Sequence, residues 1–268
     1  MNENKDILLR KTLKYGLLIS TVFNLISCQP PIYQKTADSS IQIDKNYLEN
    51  EEAILMINPY KEKLEAEMNE VLVISAEEFP KERGKAETKI GNLIADLSYD
   101  IASKTYNTST NHTIDFCLLN IGGLRTSLPK GEITRGKIFE LMPFENELVV
   151  VTIKGNKYNQ IVNYITSTPQ PISGQLNIKE IPNPEKKSIK INEKYFNINL
   201  SFNKNGEIKI LTSDYLANGG DNMKFFLDPI KIESLGIKLR DAIIQHCMEE
   251  HKKGNQLTGK LDGRITFE

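Results

Sequence analysis

The chain has 268 residues, 39% hydrophobic and 26% charged, and its 34 basic and 35 acidic side chains leave a formal net charge of -1. That content supports one large domain or two small ones with a real core and excludes a disordered chain. No long single-sign block is present to track a phosphate backbone, so DNA and RNA are not expected as partners.

The N-terminus reads as a targeting segment. Lys5, Arg10, Lys11 and Lys14 precede an apolar run from Tyr15 to Ile26 that ends at Ser27-Cys28, the layout of a signal peptide over residues 1–27. The run is short for a membrane span, which needs roughly 20 apolar residues. Leu25-Ile26-Ser27-Cys28 resembles a bacterial lipobox, which implies lipidation at Cys28 and a protein held on a membrane of the bacterial cell envelope. The alternative is an ordinary secretory signal with an incidental cysteine. Residues 28–40, with Pro30 and Pro31, read as a lipid-attached tether, and residues 41–268 as the folded domain.

Within the folded part, Ile54, Ile57, Tyr60, Leu64 and Met68 recur at helical spacing, with Pro59 expected to kink or restart the helix. Val71 to Ile74 reads as a strand. Ile90, Leu93, Ile94, Leu97 and Ile101 fall at i, i+3, i+4, i+7 and i+11, a clear helix. Strands are expected at Ile114 to Leu119 and Glu147 to Ile153 with a short helix, Lys137 to Leu141, between them, and a further helix at Lys157 to Thr166. Alternation marks strands at Ser188 to Ile191 and Lys209 to Thr212, with turn chemistry at Asn203-Lys204-Asn205-Gly206. A last helix is expected from about Ile232 to Lys253, stopping at Gly254. This order predicts an α/β fold, a single layered domain of mixed β-sheets flanked by helices. For Cys117 and Cys247 one disulfide and two buried free thiols both stand open, the second being the plainer reading.

Two segments carry chemistry. In Leu118-Leu119-Asn120-Ile121-Gly122-Gly123-Leu124-Arg125 an apolar strand runs into a glycine pair, where main-chain N–H groups approach a ligand closely, and then into an arginine whose planar fork matches phosphate or carboxylate. In Thr212 to Asp221 a strand runs into Tyr215, the pair Gly219-Gly220, and Asp221. An aromatic face stacks on a base and a carboxylate accepts ribose hydroxyls. Either segment alone also fits an ordinary turn.

Together they resemble the C-terminal domain of 5′-nucleotidases. Three further motifs stand in matching order: Glu87 to Asp96 (E-T-K-I-G-N-L-I-A-D), Leu141-Met142-Pro143-Phe144, and Asp262-Gly263-Arg264-Ile265. The resemblance implies a substrate-binding role: Asn120 and Arg125 toward nucleoside and phosphate, Tyr215 stacked on the base, Asp221 on the ribose. Gly122, Gly123, Gly219 and Gly220 would shape the loops, and Asn92 and Asp96 would fix loops by hydrogen bonds. Two departures matter. Ala86 stands where relatives have an arginine, moving a phosphate contact toward Lys85 or removing it. No aromatic stands in Ser173 to Leu176, the segment expected to hold a second stacking ring.

Family enzymes hydrolyse phosphate esters at two metal ions on a separate domain rich in His and Asp. This chain has three histidines, and His246 and His251, five apart on a helix, do not share a face as an i, i+4 zinc pair would. No phosphate-binding lysine loop, dinucleotide fingerprint or nucleophile elbow is present. The resemblance therefore implies nucleotide recognition in nucleotide catabolism, with divalent metal ions on a partner metallophosphatase chain and no catalysis by this chain alone. The alternative is a non-catalytic nucleotide- or nucleoside-binding lipoprotein.

Overall fold

The structure is a computed structural model that describes residues 40, 44, 49–110, 112–185, 188–191, 193–199 and 206–267. The expected signal peptide, the lipidation at Cys28, nearly all of the tether and three of the four turn residues at 203–206 lie outside these residues. Two compact units are present, Met1–Ile54 and Leu55–Glu268. The described part of the first is short: Asn50 Oδ1 accepts the N–H of Ala53 at 3.1 Å, closing the first turn of a helix.

That helix, α1 (Glu51–Met68), runs through Pro59 and buries none of its residues. The kink or restart expected at Pro59 therefore does not divide it into two elements. Strand β1 (Val71–Ser75) pairs antiparallel with β3 (Gly131–Thr134). Helix α2 (Lys89–Thr110) extends well past the apolar stripe that predicted it and buries Ile90, Ile94, Leu97 and Ile101 together. Helix α3 (Arg135–Leu141) follows β3 directly, and the Thr134 hydroxyl caps it by accepting the N–H of Lys137.

The centre of the domain is a four-stranded sheet in the order β2-β8-β4-β9, made of β2 (Phe116–Cys117), β8 (Glu207–Ser213), β4 (Glu147–Lys154) and β9 (Lys231–Lys238). Strand β4 is buried at six consecutive positions, Leu148 to Ile153, five of them apolar, because both sheet faces are covered. Leu148 and Val150 join a core containing Ile94, Leu97, Ile101 and Ile243. Val149, Val151 and Ile153 join a second core with Ile161, Val162 and Ile165 of α4 (Tyr158–Ser167). Strand β8 runs directly into the one-turn helix α5 (Asp214–Ala217). A smaller sheet, β10-β5-β7-β6, consists of β10 (Ile265–Thr266), β5 (Ile178–Ile181), β7 (Lys194–Ile198) and β6 (Ile189–Ile191). Mixed sheets with flanking helices agree with the expected α/β class.

One expected element is corrected. The segment read as the start of the last helix is the edge strand β9, and α6 begins only at Leu239 and ends at Lys252. Along β9, Glu233, Leu235 and Ile237 are half-buried while their neighbours are exposed, a period of two that the helical reading overlooked. The C-terminal stop is as expected: Gly254 has φ +75°, and its N–H donates to the His251 carbonyl at 2.9 Å. Cys117 and Cys247 are both buried and free. Burial pushes the Cys247 thiol up to about 12 and the Cys117 thiol well above its ordinary value.

The helix motif and the chain terminus meet at a buried clamp. Arg264, 1% exposed, donates both terminal nitrogens to Asp96 at 2.8 and 2.9 Å. It also donates Nε and Nη2 to Asp262 at 2.8 and 2.7 Å. Glu87 accepts the N–H groups of Asp262 and Gly263 at 2.9 and 3.0 Å and the Asn92 amide at 2.5 Å. Residues Glu87, Asn92 and Asp96 thus hold a loop from the far end of the chain, which accounts for their motif by packing.

Candidate functional site

Strand direction brings the two glycine-pair segments together. Strands β2 and β8 are parallel neighbours, with Phe116 opposite Ile210 and Cys117 opposite Leu211. Both therefore end at the same sheet edge, where the chain leaves into Asn120 and into Tyr215. Strand β4 is antiparallel to β8, with Leu148 opposite Ser213, so it begins at that edge. Its lead-in, Phe144 to Asn146, arrives beside the other two segments. Carboxyl ends of parallel strands are the recurrent place for ligands in α/β sheets.

A cavity of about 310 Å³ opens there, lined by Asn120, Gly122, Gly123, Arg125, Phe144, Asn146, Tyr215 and Asp221. This lies at the lower end of the range for small-molecule pockets. Six of the eight residues expected from the sequence are on its wall. Gly219 and Gly220 are not, and they act from behind it.

Asp221 is the hub. Its Oδ2 accepts the Asn120 amide at 2.6 Å, across 101 positions of chain. Its Oδ1 accepts the Tyr215 hydroxyl at 2.9 Å, and its main-chain carbonyl accepts the Tyr164 hydroxyl at 2.7 Å. Each carboxylate oxygen keeps acceptor capacity for a further donor. The Tyr164 phenol is pushed up by burial first, then by the Asp221 and Tyr215 charges, so it stays a donor at neutral pH.

The second glycine pair sets this geometry. Gly219 has φ +84°, a left-handed conformation open to glycine at little cost, and Asp221 itself sits at φ +49°. At Gly220 a Cβ would lie 2.5 Å from Tyr215 Cε1 and 2.7 Å from the Tyr215 carbonyl oxygen. The tyrosine ring rests directly on this main chain and remains 46% exposed. Its own backbone is anchored by Asp214 Oδ1, which accepts the N–H groups of Tyr215 and Glu147 at 2.8 and 3.2 Å.

The first pair is asymmetric. A Cβ on Gly123 would meet Asn120 Oδ1 at 2.9 Å, whereas one on Gly122 would find ordinary contacts at 3.5 Å. The loop is tied at both ends: Ile121 N–H donates to Gln170 Oε1 at 2.9 Å and Arg125 N–H to the Leu141 carbonyl at 2.8 Å. Arg125 Nη1 reaches the Gly122 carbonyl at 3.4 Å, and its guanidinium stands 5.8 Å from the Phe144 ring centroid.

Two expectations are corrected here. The site has a second aromatic, Phe144, 41% exposed on the cavity wall. The Ser173 to Leu176 segment, where one was sought, lies elsewhere: Ser173 is buried and accepts the Cys117 N–H, and Gly174 donates to Asp96 at 2.9 Å. Lys85 does not reach the cavity wall and pairs with Glu82 at 3.2 Å. Sequence reasoning singles out the L-M-P-F turn holding Phe144 without assigning the ring a role. Asn146 and Tyr164 carry no sequence signal, because neither belongs to a motif and only the fold brings them to this site.

The family model for "5'-nucleotidase, C-terminal domain" matches residues 70–228, more than half of the chain. The chain belongs to the 5′-nucleotidase C-terminal domain family. The trifunctional nucleotide phosphoesterase protein of Bacillus subtilis is 25% identical over 252 residues, which is 85% of this chain and 16% of that protein. The apyrase of Tabanus yao is 23% identical over 85% of this chain and 44% of its own length. Among solved structures, a 5′-nucleotidase precursor from Thermus thermophilus superposes with a TM-score of 0.58 at 25% identity, covering 80% of this chain and 42% of that one. The NAD nucleotidase of Haemophilus influenzae shares the fold, with a TM-score of 0.51 at 16% identity over 75% of this chain and 39% of that one. The chain thus spans less than half the length of these relatives.

Among the described residues of this 5′-nucleotidase C-terminal domain, no three His, Cys, Asp or Glu side chains are grouped to hold a metal ion. The site can grip a flat ring, hydroxyls and an anion. No group in it is arranged as a nucleophile and base.

Proposed function

We propose that this domain recognises nucleotides for a 5′-nucleotidase-type phosphoester hydrolase whose metal-bearing catalytic domain is a separate metallophosphatase chain. The observation that carries the reading is the 310 Å³ cavity, which Tyr215, Phe144, Asp221 and Arg125 line together. The base stacks on Tyr215 and Phe144, Asp221 and Asn120 take the ribose hydroxyls, and Arg125 takes the phosphate. Stacking is worth about 1 to 3 kcal/mol per base, and a charge-assisted hydrogen bond about 1.5 to 3 kcal/mol. A partner would supply the metal-activated water and clamp the transferring phosphoryl group. Lipidation at Cys28 and residence in the bacterial envelope belong to the same proposal and rest on the N-terminal sequence pattern.

Calorimetry with the common nucleoside 5′-monophosphates tests recognition. Wild type binds at least one of them, and Tyr215→Ala and Asp221→Ala each weaken it about tenfold or more. No binding at millimolar ligand, or wild-type affinity in both variants, sinks the reading. The divided enzyme is tested by mixing the protein with a metallophosphatase chain from the same genome in divalent metal. Nucleotidase activity above the sum of the two parts is expected, and simple additivity rejects that partnership.

A further inference from the structure

The turn that brings Phe144 and Asn146 to the cavity is held from behind by the start of helix α6. Leu239 N–H donates to the Asn146 carbonyl at 2.9 Å. Arg240, 6% exposed, reaches the Met142 carbonyl with Nη1 at 3.5 Å and donates Nη2 to Glu145. One guanidinium thus bridges the two ends of Met142-Pro143-Phe144-Glu145. Its central carbon stands over the Phe139 ring of α3, 4.1 Å from the centroid, which fixes its plane. Lys238 adds a second ion pair to Glu145.

Phe144 depends on such support because the core does not fix it: Leu141 and Met142 are core residues, whereas Phe144 is exposed. For stability alone, an arginine at position 240 is a poor choice. It is the second residue of α6, beside Lys238, at the helix end whose dipole favours anions. Its Nε is buried and, among the described residues, has no hydrogen-bond partner, a cost that an apolar side chain in the same slot would avoid. A charged group kept where local rules disfavour it marks a position held for the site.

We propose that Arg240 is a positioning residue for base recognition, setting the Pro143-Phe144 turn so that the Phe144 ring stays on the cavity wall to stack on the base. This rests on the nucleotide reading above. Arg240 itself does not line the cavity and touches no ligand. It acts through Phe144, and Glu145 is the exposed anchor that its fork grips.

A double-mutant cycle read by isothermal titration with the common nucleoside 5′-monophosphates tests the idea on wild type, Arg240→Met, Phe144→Leu and the two combined. Phe144→Leu weakens binding about tenfold and Arg240→Met about five- to tenfold, the cost of a lost or misplaced stacking ring. In the Phe144→Leu background Arg240→Met changes affinity by less than about twofold, because the ring it positions is gone. A merely structural role would instead give the same loss in both backgrounds. Glu145 is 60% exposed in its side chain, so Glu145→Ala folds whatever happens at Arg240. It weakens binding about two- to fivefold, again only while Phe144 is present. Wild-type affinity in Arg240→Met and Glu145→Ala, an unaffected Phe144→Leu, or a loss that persists in full in that background overturns the positioning role while leaving nucleotide recognition standing. Wild type that binds none of the nucleotides overturns both readings.

Discussion

Gly220→Ala is the sharpest probe of how this site is built. The added methyl would sit 2.5 and 2.6 Å from two ring carbons of Tyr215 and 2.7 Å from the Tyr215 carbonyl oxygen. A ring can swing away, but a carbonyl inside the short helix α5 cannot, so the loop from Gly219 to Asn222 has to shift. Such overpacking costs typically about 1–3 kcal/mol. The shift also loosens the Tyr215 hydroxyl bond to Asp221 and the Asp221 N–H bond back to that hydroxyl, each worth about 0.5–1.5 kcal/mol net. Because the loop is exposed, part of the strain relaxes, and we expect a net loss of about 1–2 kcal/mol. At about 2–4 °C per kcal/mol for a domain of this size, the melting point falls by roughly 2 to 8 °C. Nucleotide affinity suffers more, because the stacking ring and the carboxylate move together. We expect about a ten- to a hundredfold loss. Gly122→Ala is the control. Its methyl would meet only ordinary contacts at 3.5 Å, and stability should change by less than about 0.5 kcal/mol. Thermal denaturation and calorimetry on both variants decide the matter. Wild-type affinity and melting point in Gly220→Ala would refute the reasoning, as would equal damage by both substitutions.

Removing the buried guanidinium in Arg264→Met leaves Asp96 and Asp262 without their partner and should cost about 3–5 kcal/mol in urea denaturation at pH 7; a loss under about 1 kcal/mol would contradict the clamp. The same guanidinium holds the Asp262 carboxyl below its usual range. That stabilisation is full above the ordinary carboxylate pKa and fades as pH falls below about 4, so the acid side of the stability profile should be shallower in the variant. Cys117 and Cys247, buried with raised pKa values, should resist a thiol reagent at about pH 8 in a Cys28→Ser background and react once urea unfolds the domain. Rapid native labelling of either would show that the burial is wrong. Cys28→Ser should also abolish incorporation of labelled fatty acid in cells, and persistent incorporation would exclude that cysteine as the lipid site.

Helix α2 was legible from five apolar positions at helical spacing. Asn120, Arg125, Tyr215 and Asp221 were singled out only through the ordered family motifs, since either glycine-pair segment alone also fits an ordinary turn. The β9 strand was not legible, because its eight residues carry both a period of two and enough helix formers to continue α6 backwards. Pairing with β4 decides in favour of the strand. Phe144 was visible as part of a turn motif, but its role depends on where that turn lies.

By itself the sequence determined the class of domain and singled out residues that line one cavity, since glycine pairs, periodicity and ordered motifs are properties of neighbours along the chain. Only the tertiary structure decided their company. The parallel pairing of β2 with β8 and the antiparallel entry of β4 put three distant loops at one edge. That convergence adds Phe144 to the cavity. The alignment of Phe79 with Leu128 sets Lys81 against Arg125 and leaves Lys85 with Glu82. Strand order and direction are long-range properties, fixed by which apolar faces bury together, and no window of adjacent residues contains them.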